Sequence, residues 1–267
     1  MSYTLHGPWP GEGPAPRLGP FGRVAVLADV HGNVPALTAV LAEPDVQAAD
    51  LVVFCGDLTW GAEPDRTVEA VRALGPRALC VRGNADRAVV ELARRGRDPS
   101  GARDTWMLSR HSPASVEFVA AFPFNAVVDV AGLGAVRFCH GSCRSDTEVL
   151  TPGTPDARLT EVFAAMDEHV LASGHTHLQF DRTVDGNRNV NAGSVGLPYH
   201  LGEPGTAYWA LFGPEVGLRQ TRYDLEAAVA AATGIGDPRE EVIVGLLTRP
   251  PTPDEVIAHA EGLVFTD

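Results

Sequence analysis

The chain has 267 residues, 45% of them apolar, enough to bury a two- or three-layer core in one α/β unit. No apolar run of about 18 residues is present to cross a bilayer, and the formal net charge of −13 repels polyphosphate backbones, so neither membrane insertion nor binding to long nucleic acid is expected. All 21 basic residues are arginine, which excludes chemistry built on a lysine: a Schiff base, a P-loop or Ser-x-x-Lys acyl transfer.

Residues 1–22 (MSYTLHGPWPGEGPAPRLGPFG) are rich in Pro and Gly and lack a basic-then-apolar signal pattern. They read as a mobile arm on a cytoplasmic protein, ahead of a single domain over residues 23–267. Arg23 to Ala28 reads as a short buried strand, with Asp29 and His31 just beyond its carboxyl end, and helical spacing follows from Val34 to Glu43. Leu51 to Cys55 is a second such strand and ends at Gly56-Asp57. Ala78 to Val81 is a third; it leads into Arg82-Gly-Asn-Ala-Asp86 and a helix from about Arg87 to Arg95. Val127 to Cys139 reads as a hairpin that turns near Gly132-Leu-Gly134 and delivers His140, and Val170 to Ser173 leads into Gly174-His-Thr-His177.

The second half changes character. Gln179 to Val190, Ala207 to Phe212 and Leu218 to Tyr223 read as antiparallel strands around turns at Asp185-Gly186 and Gly213-Pro214. A helical tail over residues 224–267 closes the chain, with helices near Asp224 to Thr233, Pro238 to Leu247 and Pro253 to Glu261. Strands alternating with helices predict an α/β fold, in which ligands gather beyond the carboxyl ends of the strands. The four cysteines (Cys55, Cys80, Cys139, Cys143) show no Cys-x-x-Cys spacing and read as reduced, mostly buried thiols.

Seven residues with metal-ligating side chains stand at those strand ends: Asp29, His31, Asp57, Asn84, His140, His175 and His177. Carboxylate, imidazole and amide oxygen together suit two divalent cations of intermediate hardness, such as Mn, Fe, Zn or Ni, rather than an all-oxygen Mg or Ca cage. The pattern points to a two-metal hydrolase. The glycines at 32, 56, 83, 141 and 174 most simply permit tight turns after strands.

Taken in order, Asp29-Val-His31, Gly56-Asp57, Gly83-Asn-Ala-Asp86, His140-Gly141 and Gly174-His-Thr-His177 resemble the motif series of the calcineurin-like metallophosphoesterase superfamily, over about Arg23 to Tyr223. The resemblance implies a four-layer α-β-β-α sandwich of two packed mixed sheets. It implies that Asp29, His31 and His177 hold one cation, Asn84, His140 and His175 the other, and that Asp57 bridges them. It further implies, with Mn as the first candidate, in-line attack on phosphorus by a metal-bridging hydroxide.

The sequence departs from the commonest family motif at Ala85, where a histidine usually assists the leaving group, and resembles a bacterial and archaeal branch that also carries a stretch like Asn191-Ala-Gly-Ser-Val-Gly196. Asp86 is expected to serve catalysis by orienting a ligand histidine. His200, on the Gly-rich loop after that stretch, is a second candidate catalytic group, while Arg144, Arg87 and Asn33 are candidate contacts to a small phosphoester substrate. His6, His111, His169 and His259 read as ordinary polar groups. The implied activity leans to phosphodiesters or small phosphomonoesters. Alternatives are a dinucleoside polyphosphate hydrolase, a protein phosphatase, or a non-catalytic scaffold such as the retromer subunit of this fold.

Overall fold

The computed structural model describes residues 4–199 and 203–266. Its strands are β1 (Arg17–Phe21), β2 (Val24–Leu27), β3 (Leu51–Cys55), β4 (Ala78–Val81), β5 (Ala126–Val130), β6 (Gly134–Phe138), β7 (Val170–Ser173), β8 (Gln179–Val184), β9 (Asn187–Ala192), β10 (Thr206–Phe212) and β11 (Val216–Arg222). Its helices are α1 (Val34–Leu41), α2 (Pro44–Gln47), α3 (Pro64–Arg72), α4 (Asn84–Ala93), α5 (Ala102–Arg110), α6 (Pro113–Ala120), α7 (Asp156–Phe163), α8 (Leu225–Ala232), α9 (Glu240–Thr248) and α10 (Pro253–Ala260). Among the described residues, no helix is long and apolar enough to cross a membrane.

The strands form two mixed sheets, one in the order β11-β10-β2-β3-β4 and the other β1-β5-β6-β7-β9-β8. The continuous apolar runs of β2 and β3 are explained by burial on both faces. Ala25, Leu27, Val52 and Phe54 point into the core under the helices, while Val24, Val26, Leu51 and Val53 point into the core shared with the other sheet. There they meet Val128, Val136 and Phe138. Leu159, Val162 and Phe163 of α7 cover the far face of the second sheet. The result is the expected sandwich, two packed mixed sheets with helices outside. Truncating one enclosed chain such as Leu27 to Ala would cost about 2–5 kcal/mol.

Residues 7–21 do not form a mobile arm. β1 pairs in parallel with β5 and becomes an edge strand of the second sheet. Upstream of it, the Glu12 carboxylate accepts from the backbone N–H of Phe124 at 2.6 Å and of Trp9 at 2.8 Å. The Arg82 guanidinium, whose side chain is fully enclosed, lies 4.1 Å from the centre of the Trp9 ring and donates to the Gly7 carbonyl at 2.7 Å. A buried guanidinium demands such partners. The Pro and Gly content of this stretch hides any periodicity, yet it does not prevent packing.

Candidate metal centre

Each of the seven donors sits directly after a strand. Asp29 and His31 follow β2, Asp57 follows β3, Asn84 opens α4 after β4, His140 follows β6, and His175 and His177 follow β7. Adjacent loops are laced together: the Asp29 N–H donates to the Gly56 carbonyl, the His31 N–H to the Asp57 carbonyl and the Gly174 N–H to the His140 carbonyl. The Asn191 side chain donates to the Gly174 carbonyl at 2.6 Å and Ser194 Oγ to the Asp29 carbonyl at 2.8 Å, so the end of β9 and the loop after it clamp two of the candidate ligand turns.

Five of the seven donors occupy the left-handed region, with φ of 52° at Asp29, 49° at His31, 53° at Asp57, 69° at His175 and 57° at His177. Outside glycine this conformation is uncommon and costs on the order of 1–2 kcal/mol per residue. Such strain persists where surrounding structure enforces it, and it concentrates at functional sites. The neighbouring glycines do more than turn the chain. A Cβ at Gly83 would lie 2.2 Å from Asp57 Oδ1, one at Gly174 2.6 Å from Asp29 Oδ2, and one at Gly56 2.6 Å from His140 Nδ1. These positions are bare so that the donors can lie against the backbone.

The four imidazoles each turn one nitrogen inward. His31 Nε2 and His177 Nε2 are 3.1 Å apart, His140 Nε2 lies 2.9 Å from Asn84 Oδ1, and His175 Nδ1 lies 3.2 Å from His140 Nε2. Asp57 spans the group, with Oδ2 3.7 Å from His31 Nε2 and Oδ1 3.4 Å from His140 Nε2. Asp29 Oδ1 is 3.4 Å from His177 Nε2. The outward nitrogens are all engaged. Those of His31, His140 and His177 face the carbonyls of Trp60, Cys55 and Leu197, and His175 Nε2 lies 2.8 Å from the Thr266 hydroxyl. A carbonyl can only accept, so the nitrogens facing carbonyls carry a proton, and each neutral ring is left to present its inward lone pair, the arrangement typical of metal-ligating histidine.

Charge in the cluster favours cations as well. Burial would raise the Asp57 carboxyl, but His140 beside it holds it well below the ordinary range. Burial pushes His31 down to about 4 and His175 to about 3. His140 is also penalised by burial, yet the Asp57 carboxylate overrides this and lifts it to about 10; His177 rises for the same reason beside Asp29. Two enclosed carboxylates thus draw protons onto imidazoles when nothing else supplies positive charge. Divalent cations would supply it, and the donor types fit them. Asp29, His31 and His177 bring ligand atoms within 4.8 Å of one another, and so do Asp29, Asp57 and His140.

The other sequence candidates fall in different places. Asp86 is enclosed behind the donors and orients no histidine. Its carboxylate accepts from the N–H groups of Asp57 (2.9 Å), Leu58 (3.0 Å) and Gly83 (3.0 Å), tying the Asp57 turn to the start of α4, and burial beside Asp57 raises it to about 7. Arg144 is held by Glu148 and Glu161 and is not among the residues that line the cleft. Arg87 borders the cleft but is itself buried, with Nε 3.0 Å from Asp146 and NH1 3.3 Å from Glu91. Asn33 caps α1 by accepting from the Ala36 N–H and donates to the Gly196 carbonyl, so its amide is occupied by the fold. His200 lies outside the described residues. His111, read as an ordinary polar group, bonds Met107 and Thr59.

Two adjoining recesses of about 310 and 540 Å³ open over the donors and share His31, Asp57, Trp60, Asn84, Arg103 and Arg239 among their walls. Tyr199, stacked on His177 with ring centres 4.6 Å apart, and Thr266 line the first. Sequence reasoning missed Trp60, Tyr199, Arg103, Arg239 and Thr266. Trp60 stands three residues after Asp57 on the same loop, and its closeness in sequence to a ligand was a usable signal; the others carry no local one.

Comparison with known proteins agrees with this geometry. Residues 23–211 match the calcineurin-like phosphoesterase superfamily domain. An uncharacterised protein of Methanocaldococcus jannaschii is 26% identical over 181 residues, which cover 65% of this chain and 70% of that protein. The crystal structure of a metallophosphoesterase from Sphaerobacter thermophilus is similar with a TM-score of 0.68 at 26% identity, covering 84% of this chain and 98% of that one. A hypothetical protein from Pyrococcus horikoshii shares the fold with a TM-score of 0.72 at 20% identity, covering 86% and 99%.

Proposed function

The chain belongs to the calcineurin-like phosphoesterase superfamily, and from that premise we propose that it hydrolyses phosphodiesters or small phosphomonoesters with two divalent cations, manganese first among them. A metal-dependent phosphoesterase is the activity that family and donor set together support. The observation that carries the reading is the convergence of all seven donor side chains beneath one cleft, with the outward nitrogen of every imidazole already bonded.

Asp29, His31 and His177 would hold one cation, Asn84, His140 and His175 the other, and Asp57 would touch both. When bound, such a pair acidifies a shared water and neutralises charge on phosphate oxygens. The chain's own part is positioning. The Ala85 N–H donates to Asp57 Oδ1 at 2.9 Å, and Asp86 holds the backbone of the same turn, so the carboxylate that faces both halves of the cluster is fixed before substrate arrives. Ala85 has no proton to offer a leaving group. Activated aryl esters are therefore favoured over alkyl esters. Elemental analysis of protein prepared with Mn, Zn, Fe or Ni, joined to a hydrolysis panel of mono- and diesters, tests the reading. Two metals per chain and chelator-sensitive turnover are expected. A metal content near zero after supplementation, or no turnover on any ester, overturns it.

A further inference from the structure

Ala85 stands where the motif of the common family members has a histidine, and the arginines anticipated from sequence do not bring a positive charge in its place. Arg144 lines neither recess and is paired with Glu148, and Arg87 is spoken for by two carboxylates. Of the 21 arginines, only the side chains of Arg95, Arg239 and Arg249 enter no ion pair or hydrogen bond among the described residues. Of these three, Arg239 alone borders the metal cleft, lining both recesses, one of which it shares with Ala85. We propose that Arg239 is the substrate-phosphate ligand of this site, a specificity determinant that grips nonbridging oxygens of the phosphoryl group held over Asp57 and Asn84.

The inference rests on the phosphoesterase reading above and deepens it. Arg239 stands on a prepared base. Its backbone N–H donates to Asp237 Oδ1 at 2.8 Å, and the Asp237 carboxylate, almost fully enclosed, accepts from Arg103 Nε at 3.2 Å and NH2 at 3.3 Å. The Trp106 indole pins the same segment through the Ile235 carbonyl at 3.2 Å. Backbone is thereby fixed while the guanidinium is left exposed and without a counter-charge, in a chain whose net charge is −13. Arg239 and Tyr199, the ring stacked on His177, line the same recess over the donors. Guanidinium matches phosphate in shape and retains its charge, and charge-assisted hydrogen bonds are the strong ones. A monoester dianion, with more charge to neutralise than a diester, should depend on it more. Arg239 also lies beyond residue 211, outside the part of the chain that matches the superfamily domain, so the substrate contact belongs to the tail of this protein.

The test uses full-length metal-loaded protein as wild type, Arg239→Ala, Arg239→Lys and, as control, Arg249→Ala. Inorganic phosphate binding is followed by calorimetry, metal content by elemental analysis, and turnover on mono- and bis-nitrophenyl phosphate. For Arg239→Ala, phosphate affinity and monoester kcat/KM should fall about 10–100-fold, diester kcat/KM only a few-fold, with metal content and melting temperature unchanged. Arg239→Lys should recover part of the loss, and the control should match wild type. The inference is overturned if Arg239→Ala stays within twofold of wild type in phosphate affinity and monoester efficiency, or if metal-loaded wild type binds no phosphate. Absence of turnover in wild type, with phosphate binding still dependent on Arg239, would instead defeat the phosphoesterase reading and leave the phosphate site standing.

Discussion

The floor and the outer wall of the cleft are built by different rules. The floor, from Asp29 to His177, consists of strand-end turns whose candidate donors are buried or half-buried, cross-bonded through Gly56, Gly174 and Asn191, and held in left-handed backbone at five positions. The wall, made by α5, the segment 235–247 and Thr266, stands on a few hydrogen bonds: Arg103 to Asp237, Trp106 to Ile235, Thr266 to His175. Floor geometry is over-determined, as a site proposed to hold cations requires. Wall geometry leaves side chains exposed, as a surface meeting exchangeable ligands must.

If that contrast is correct, the largest effect belongs to Asp57→Ala, which removes the carboxylate whose two oxygens face the inward nitrogens of His31 and of His140. Activity should fall on the order of 10³-fold or more, with both metals lost on elemental analysis. Retention of one tightly bound metal would show that the halves are independent.

Glycines sharpen the comparison next. Gly83→Ala drives a Cβ to 2.2 Å from Asp57 Oδ1 and should reduce metal affinity about 100-fold. Gly245→Ala, inside α9 with nothing within 4 Å, should leave metals alone and stabilise the fold by up to about 1 kcal/mol. Chelator competition and thermal melting measure the two, and equal responses would erase the distinction.

Acidity probes the floor without its cations. An unfolded imidazole takes up a proton near 6.5, whereas burial holds native His31 down at about 4 and His175 at about 3. From pH 6.5 toward 4 the unfolded chain therefore binds more protons, and stability falls as pH drops. His140, lifted to about 10 by Asp57 against burial, and Asp86, raised to about 7 by burial, work in the opposite sense. Their contributions are lost as pH rises. The melting temperature of metal-free protein should peak near neutrality and decline on both sides, and metal loading should flatten the alkaline decline. A metal-free profile with no pH dependence would contradict the charge balance described for the cluster.

The smallest effect is expected where wall meets floor. Thr266→Val keeps the shape but removes the oxygen beside His175 Nε2, and should weaken metal affinity roughly 10-fold, read by competition with a chelator. Thr266→Ser, which keeps the hydroxyl, should restore it. No difference between Val and Ser would mean that the tail merely covers the site.

Much of the floor was legible in the chain. β3, β4 and β7 begin and end where Leu51–Cys55, Ala78–Val81 and Val170–Ser173 read as apolar runs, because strands buried on both faces leave that signature. The donor residues come directly after those runs, so their identities and their placement at strand ends were local information. Local pattern did not reveal the left-handed backbone of Asp29, His31, Asp57, His175 and His177, or that Gly83, Gly56 and Gly174 are bare to admit a neighbour's side chain. The pairing of β1 with β5, the burial of Arg82 against Trp9, and the meeting of Arg239 and Thr266 with residues about 90 or more positions away likewise required the tertiary structure. Periodicity reports which face of a segment is apolar, whereas these contacts depend on which distant segment packs against it. That choice belongs to the assembled sandwich: the sequence by itself determined the donors and the strands that carry them, and only the tertiary structure decided what stands over them.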